Sequence, residues 1–425
     1  MKRIIQLSST WFPIWLISLL MFIMISIYLP VFGGGIQNLT NAPLIVANED
    51  KGPAGDIILV NLIEKQNGSS FKWSVVDNKE EALHDLMNNK AYGALVIPED
   101  FSKHISEINN LLINGNGIGE AATLEILLNE GIGQSASMIA SRALETIVYA
   151  ASSELSSNLK KELNQQDRSI PADQIALAEV PVRATTKNVL GIPVHLYNGM
   201  TPFVLILIAS ISGIMGTNMI HGYLLRGNGA LKKEGVSLSG AEMLKTELLL
   251  IIILAFSVAA VSQLAVFGFF GSSHASSIWV IFLFSFFCSL TMLFLFKSLA
   301  LLFGGWGMLV MFPVNIMGIF SSGGAVPLST LPAIHHIFSL ILPTRYMVDG
   351  MRALLYYGGR MQAGLGTALL AISSYFVVAL MIIIAFIANE HRKGNAPKME
   401  RSVNKKTDKV QIQVSNRFDS KLPEE

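Results

Sequence analysis

Six apolar runs in this chain approach or reach the length needed to cross a lipid bilayer, and they restrict its fold more than any other feature. A helix rises about 1.5 Å per residue, so roughly 20 apolar residues span a hydrocarbon core of about 30 Å. Trp11 to Phe32 reaches that length without a charge, and Lys2 and Arg3 precede it. It exceeds the apolar region of a signal peptide and no A-x-A site follows, so it reads as an uncleaved anchor. Thr201–Ile220, Leu248–Phe270, Ile278–Phe296 and Leu369–Ala388 follow the same rule. Gly307–Phe320 is shorter, with Leu301, Leu302 and Phe303 extending it inward. The composition agrees: 51% of residues are hydrophobic, 14% are charged and mean hydropathy is +0.50. Soluble domains carry about a quarter charged residues. The reading is a polytopic α-helical membrane protein with six transmembrane helices, made of an N-terminal segment and first span (1–33), a domain at 34–198, a five-helix membrane domain (199–388) and a basic tail (389–425).

Six spans place both termini on one side, and the basic residues say which. Arg226, Lys232, Lys233 and Lys245 fall between the second and third spans, and nine Lys or Arg follow Ala388. Gly271–Ser277 has none. The positive-inside rule then predicts cytoplasmic termini and an extracytoplasmic segment after the first span. Between residues 34 and 200, 20 acidic residues stand against 12 basic ones, a net of −8 in a chain whose total is +1. Nothing in that balance suggests a nucleic-acid partner.

The segment 34–198 is long enough for a domain. "APLIVANED", "FKWSVVD", "YGALVIPEDF" and "TLEILLNE" read as strands, and "AGDIILVNLIEK" and "KEEALHDLMNN" as helices between them. Such alternation predicts an α/β domain. From Ser141, the positions Leu144, Val148, Ala151, Leu155, Leu159 and Leu163 form one apolar stripe on a long helix. The domain contains no HExxH, GxSxG or Cys/His cluster, so no catalytic or metal site is expected. His84 and His104 read as surface residues and "GNGIGE" as a loop. The single Cys288 lies in an apolar run and reads as a packed thiol. No cofactor is expected.

Two other stretches carry more information. "LLRGNGALKKEGVSLSGAEMLKTELLL" from Leu224 is polar and basic between apolar runs. Ser237 or Ser239 can cap a helix with Glu242 in its first turn, so a short helix at the membrane surface is expected there. The second stretch, within 323–360, contains "ILPTRYMVDGMR". Pro327, Pro332 and Pro343 break any continuous helix. Arg345 and Asp349 are i, i+4 neighbours, and Asp349 and Arg352 are i, i+3 neighbours. A re-entrant or interfacial hairpin tied by these ions is expected.

With one span, an α/β domain and five spans in that order, "RGNGALKKEGVSLS" before the third span, and "GGAVPLSTLP" with "LPTRYMVDGMR" before the sixth, the chain resembles permeases of the type-2 ABC exporter family. "IVANEDKG" and "VVDNKEEALHDLMNNKAYGALVIPEDFS" are similar to the branch containing NatB-like and YhgE/phage-infection-protein-like members. The resemblance covers nearly the whole chain except the basic tail. It implies a permease that pairs with a second protomer, alike or different, and with separate ATPase subunits. No GxxxxGK[ST] phosphate loop occurs in the chain itself. It also implies that the connection 221–247, through Arg226, Lys232, Lys233, Glu234 and Glu242, couples ATP hydrolysis to movement. The path would run between protomers, lined by the second and fifth spans. The hairpin, with Pro343, Arg345, Asp349 and Arg352, would cap its exit. The lack of charge within the predicted spans favours a hydrophobic or amphipathic cargo such as a drug, lipopeptide or lipid. A competing reading is a membrane-anchored receptor or secretion-associated scaffold that uses the outer domain without transport. A secondary transporter would instead need polar groups at midplane, where only Gln263 and Asn315 offer themselves.

Overall fold

The computed structural model describes residues 39–64, 70–115, 119–165, 171, 174–192, 199–233, 235 and 238–395, with isolated positions at 18, 19, 22 and 26. The predicted first span at 11–32 and the tail after residue 395 therefore lie almost wholly outside the described residues.

The α/β unit has a five-stranded sheet: β1 (Ala42–Asn48), β2 (Phe71–Val76), β3 (Gly93–Ile97), β4 (Ala122–Leu128) and β5 (Val182–Asn188), in the order β2-β1-β3-β4-β5. β1 runs parallel to β2 and β3, β4 is antiparallel to β3, and β5 is parallel to β4. Helices α1 (Pro53–Glu64) and α2 (Lys79–Met87) make the parallel crossovers, and α3 (Phe101–Asn109) precedes β4. β1 shows why its sequence is apolar throughout. Leu44 and Val46 face the core under α3 and the long helix α4 (Gln134–Gln165), while Ile45 and Ala47 face Ala82 and Leu86 of α2. A strand covered on both faces needs an unbroken apolar run.

β5 was absent from the sequence expectation, and the reason is physical. Of "VRATTKN" only Val182 is buried. An edge strand with no apolar face shows no period-2 signal, and its Arg183 and Lys187 suit an exposed edge. The stripe on α4 also differs from expectation. The buried line passes through Ser152 and Ser156, not Ala151 and Leu155. Ser156 Oγ donates to Ala178 O at 2.7 Å in α5 (Ile175–Glu179), and Val182 N donates to Ser152 Oγ at 3.2 Å. Two hydroxyls thus tie the long helix to the elements that follow it.

The helical bundle comprises α6 (Thr201–Lys233), α7 (Gly240–Gln263, continued by a π-helical turn Leu264–Phe269), α8 (Ile278–Phe303), α9 (Gly307–Phe320), α10 (Ala333–Ile341), α11 (Pro343–Tyr356) and α12 (Leu365–Asn395). Four helices are long and apolar enough to cross a membrane: Thr201–Lys233, Gly240–Phe269, Ile278–Phe303 and Leu365–Glu390. Gly307–Phe320 is apolar but shorter. α8 is the hub of the bundle, packing on α6, α7, α9, α11 and α12. Small residues permit these approaches. A Cβ on Gly350 of α11 would come within 2.4 Å of the Phe284 ring, and one on Gly213 of α6 within 2.9 Å of Phe296. Lipid gives helices no hydrophobic drive to associate, so close backbone approach at such residues supplies the packing.

Candidate functional site

Three places in the bundle gather polar side chains. The first is the junction of α6 and α7. The sequence suggested a separate surface helix here; instead α6 runs unbroken through Leu224, Arg226, Gly227 and Gly229 to Lys233. Its leucines and lysines favour a helix, and two exposed glycines cost only about 1 kcal/mol each against alanine. The connection is thereby reduced to 234–239, with Gly235 in the left-handed region at φ +84°. Ser239 starts α7 with a full capping box. Its Oγ accepts from Glu242 N at 3.2 Å, and Ser239 N donates to Glu242 Oε2 at 2.8 Å. Glu242 is therefore engaged in starting the helix. Arg226 is exposed and folds back on α6, its Nε donating to Gly222 O at 3.2 Å and its guanidinium lying 4.6 Å from the Tyr223 ring centre. Lys232 and Lys233 are exposed in the last turn, where the helix dipole favours positive charge. Glu234 lies outside the described residues.

The second place was not anticipated. Lys297 of α8 donates to Glu247 Oε1 of α7 at 2.5 Å, and His221 of α6 lies 3.4 Å from Glu247 Oε2. Both members of the Lys–Glu pair are almost fully buried, with side chains 3% and 1% exposed. The expectation that the apolar helices carry no charge is therefore revised: they carry charge in paired form. The sequence did hold a signal. His221, Glu247 and Lys297 each stand one residue beyond a predicted span end, at Ile220, Leu248 and Phe296. Cutting the spans at these charges concealed that the helices run past them. Elsewhere in the bundle polar groups also pair across helices, Ser210 with Asn315 and Gln263 Nε2 with Ser285 Oγ at 3.3 Å.

The third place is the predicted hairpin. Leu342 is extended, and Pro343 occupies the first turn of α11, where its missing N–H is no loss. Asp349 sits between both arginines, 3.7 Å from Arg345 Nε and 3.2 Å from Arg352 Nη1. Arg352 is buried and also donates through Nη2 to Gly323 O at 3.3 Å, across the hairpin. The α/β unit rests on the same segment. The Tyr357 hydroxyl donates to Asn129 Oδ1 at 2.7 Å and lies 3.0 Å from Asn89 Oδ1. Burial pushes this phenol's pKa up, so it remains a donor. The Tyr92 hydroxyl is 2.9 Å from Ser329 Oγ, and Thr40 N donates to Ser329 O at 2.9 Å. Among the described residues no group of three His, Cys, Asp or Glu could hold a metal ion.

A bundle built on one hub helix, with a buried ion pair, a broken hairpin and an α/β unit seated on it, is the setting for the family comparison. The family model described as "ABC-2 family transporter protein" matches residues 10–389. The chain belongs to the ABC-2 transporter family. That family is one of membrane transporter permeases, which carry no ATPase of their own. The chain is 29% identical over 115 residues to "Uncharacterized protein YhgE" of Bacillus subtilis (strain 168), a match covering 25% of this chain and 14% of that protein. It thus spans only a small part of that relative's length. No solved structure matches the chain significantly.

Proposed function

We propose that this ABC-2 permease exports a hydrophobic or amphipathic molecule across the plasma membrane, driven by a separate ATPase subunit and working as a pair of protomers. The family match over residues 10–389 carries the transport reading. The cargo class is supported by α6. Its outward-facing stripe of Val204, Ile208, Ile211, Met215 and Met219 is 40–55% exposed and wholly apolar. In this reading the stripe faces the path between protomers, together with α9.

The basic end of α6 and the capped start of α7 receive the ATPase, and both termini lie in the cytoplasm with it. The α/β unit then lies outside, seated on the hairpin at 323–360, which closes the exit. The charge asymmetry of the sequence supports this sidedness. It is checked with cysteines placed at Ser69 and Ser402 in a Cys288→Ser chain, labelled on intact cells by an impermeant thiol reagent. Label at 69 and not at 402 is expected; the reverse sinks the topology. Coupling is tested with Lys232→Glu and Lys233→Glu together. The double variant is expected to insert normally and to lose ATP-driven efflux. Wild-type transport with the ATPase still bound would move the coupling surface elsewhere. Disruption of the α/β unit alone, with efflux unchanged and adhesion or secretion lost, would favour the scaffold reading.

A further inference from the structure

The α/β unit contains a cleft of about 380 Å³ between α1, α3 and α4. Its walls are aliphatic, with Ile57, Ile58 and Leu62 from α1, Ile105 from α3, and Ala151 and Leu155 from α4. Pockets of roughly 300–1,000 Å³ with apolar walls and a few polar groups are the usual form of a small-molecule site. The cleft explains two departures from ordinary packing. On α4 the buried line runs through Ser152 and Ser156, so Ala151 and Leu155 are left to face the cleft. On α1, Ile57 lines the cleft with its side chain left 57% exposed, on a helix whose other exposed positions include Asp56 and Glu64.

The shape and charge of the cleft narrow its occupant. The α4 wall runs from Thr146 to Asn158, about 18 Å along the helix axis, so the cleft is a slot. Its lining contains one charged residue, Glu154, and no basic one. Among the described residues Glu154 has no ion-pair partner, and it is exposed. Asn61 and Asn158 supply hydrogen-bonding groups beside it. We propose that the cleft binds the alkyl chain of a single-chain amphiphile and that Glu154 receives its cationic head. This deepens the export reading above, and rests on it for the claim that the bound molecule is cargo.

The test uses the full chain in lipid nanodiscs and two photoreactive probes of equal length, a diazirine-bearing dodecylamine and the corresponding fatty acid. Light-driven adducts are mapped by mass spectrometry. The amine is expected to label the 143–158 segment in excess over the acid. Ala151→Trp, which fills the slot, is expected to reduce that labelling at least tenfold. Ile57→Trp, at a side chain already exposed, is a second plug should the first variant misfold. Glu154→Gln is expected to lower the amine's advantage roughly two- to fivefold, as for a partly exposed ion pair. Labelling indifferent to both plugs overturns the site, and equal labelling by the acid overturns the cationic class. Amine efflux from cells carrying the wild-type chain and its ATPase is measured in parallel. Plug-sensitive labelling with no efflux overturns the export reading and leaves the cleft a binding site; efflux unchanged by the plugs overturns its role in handling cargo.

Discussion

Two clusters of opposite charges hold this protein together, and they are built on different plans. In α11, Asp349 lies between Arg345 and Arg352 along one helix, with side chains 24%, 27% and 5% exposed. In the bundle, Glu247 and Lys297 come from different helices and are almost wholly buried, with His221 reaching them from a third. The hairpin cluster is partly exposed and has a second anchor, the Gly323 carbonyl. Among the described residues the bundle pair has only His221, 3.4 Å from Glu247 Oε2, beyond its own members. Desolvation raises the cost of breaking a pair much faster than it raises the pair's net worth. The hairpin triad should therefore tolerate loss of one member better than the bundle pair does. The bundle pair, in turn, can be replaced whole at little cost.

The largest effect is expected for Lys297→Met, which leaves Glu247 buried without its partner, at about 3–5 kcal/mol. Lys297→Met with Glu247→Leu should regain most of this, because an apolar pair of similar bulk suits the interior. Thermal unfolding of detergent-purified protein measures both; a single variant as stable as wild type breaks the comparison. Next is Asp349→Asn, expected to cost roughly 1.5–3 kcal/mol, the range for hydrogen bonds to charged groups. Exchanging Asp349→Arg and Arg352→Asp should recover only part, since the new aspartate cannot donate to Gly323. Full recovery would show that the Gly323 contact is idle. Tyr357→Phe is smaller, roughly 0.5–1.5 kcal/mol, and local. Faster hydrogen exchange confined to the 129–133 turn is expected, and an unchanged rate would detach Tyr357 from the seating of the α/β unit.

Glu125 of β4 supplies a comparison outside the bundle: its side chain is 11% exposed and is paired with Lys79 and Lys187 at 2.5 Å each. Burial alone would raise its pKa, but hydrogen bonds from Lys187 and Lys79 outweigh that and lower it. A carboxylate depressed in the fold contributes stability above its unfolded value, about 4.3, and loses it as the pH falls through the folded value. Wild type should thus lose slightly more thermal stability than Glu125→Gln between pH 6 and pH 3. Parallel curves would remove Glu125 as a contributor.

The hairpin triad was legible in the sequence because three and four residues are the spacings at which one helix brings side chains together. The bundle pair was not, because residues 247 and 297 meet only through the packing of α7 on α8. The strands β1, β3 and β4 showed in their apolar runs and β2 in its alternation, whereas β5 gains its place from hydrogen bonds to β4 and from Val182 alone. The Ser239–Glu242 cap could be read from four residues, but the length of α6 could not. Its two glycines and basic residues resemble a loop until the helix on either side is known to continue. The cleft depends on which of two neighbouring lines on α4 faces the sheet, and two serines decide that by bonding to chain segments 22 to 30 residues away.

The continuity of α6 has a mechanical consequence. A rod of 33 residues is about 50 Å long, and a bilayer core accommodates about 30 Å of it. Roughly 20 Å of the same stiff body therefore stands clear of the hydrocarbon. Gly213 and Gly216 press close to their neighbours within the bundle. In the export reading proposed above, a sideways push at Lys233 would tilt the whole rod, and its far end at Thr201 would swing the opposite way. A slack loop would absorb that push; an unbroken helix delivers it as torque.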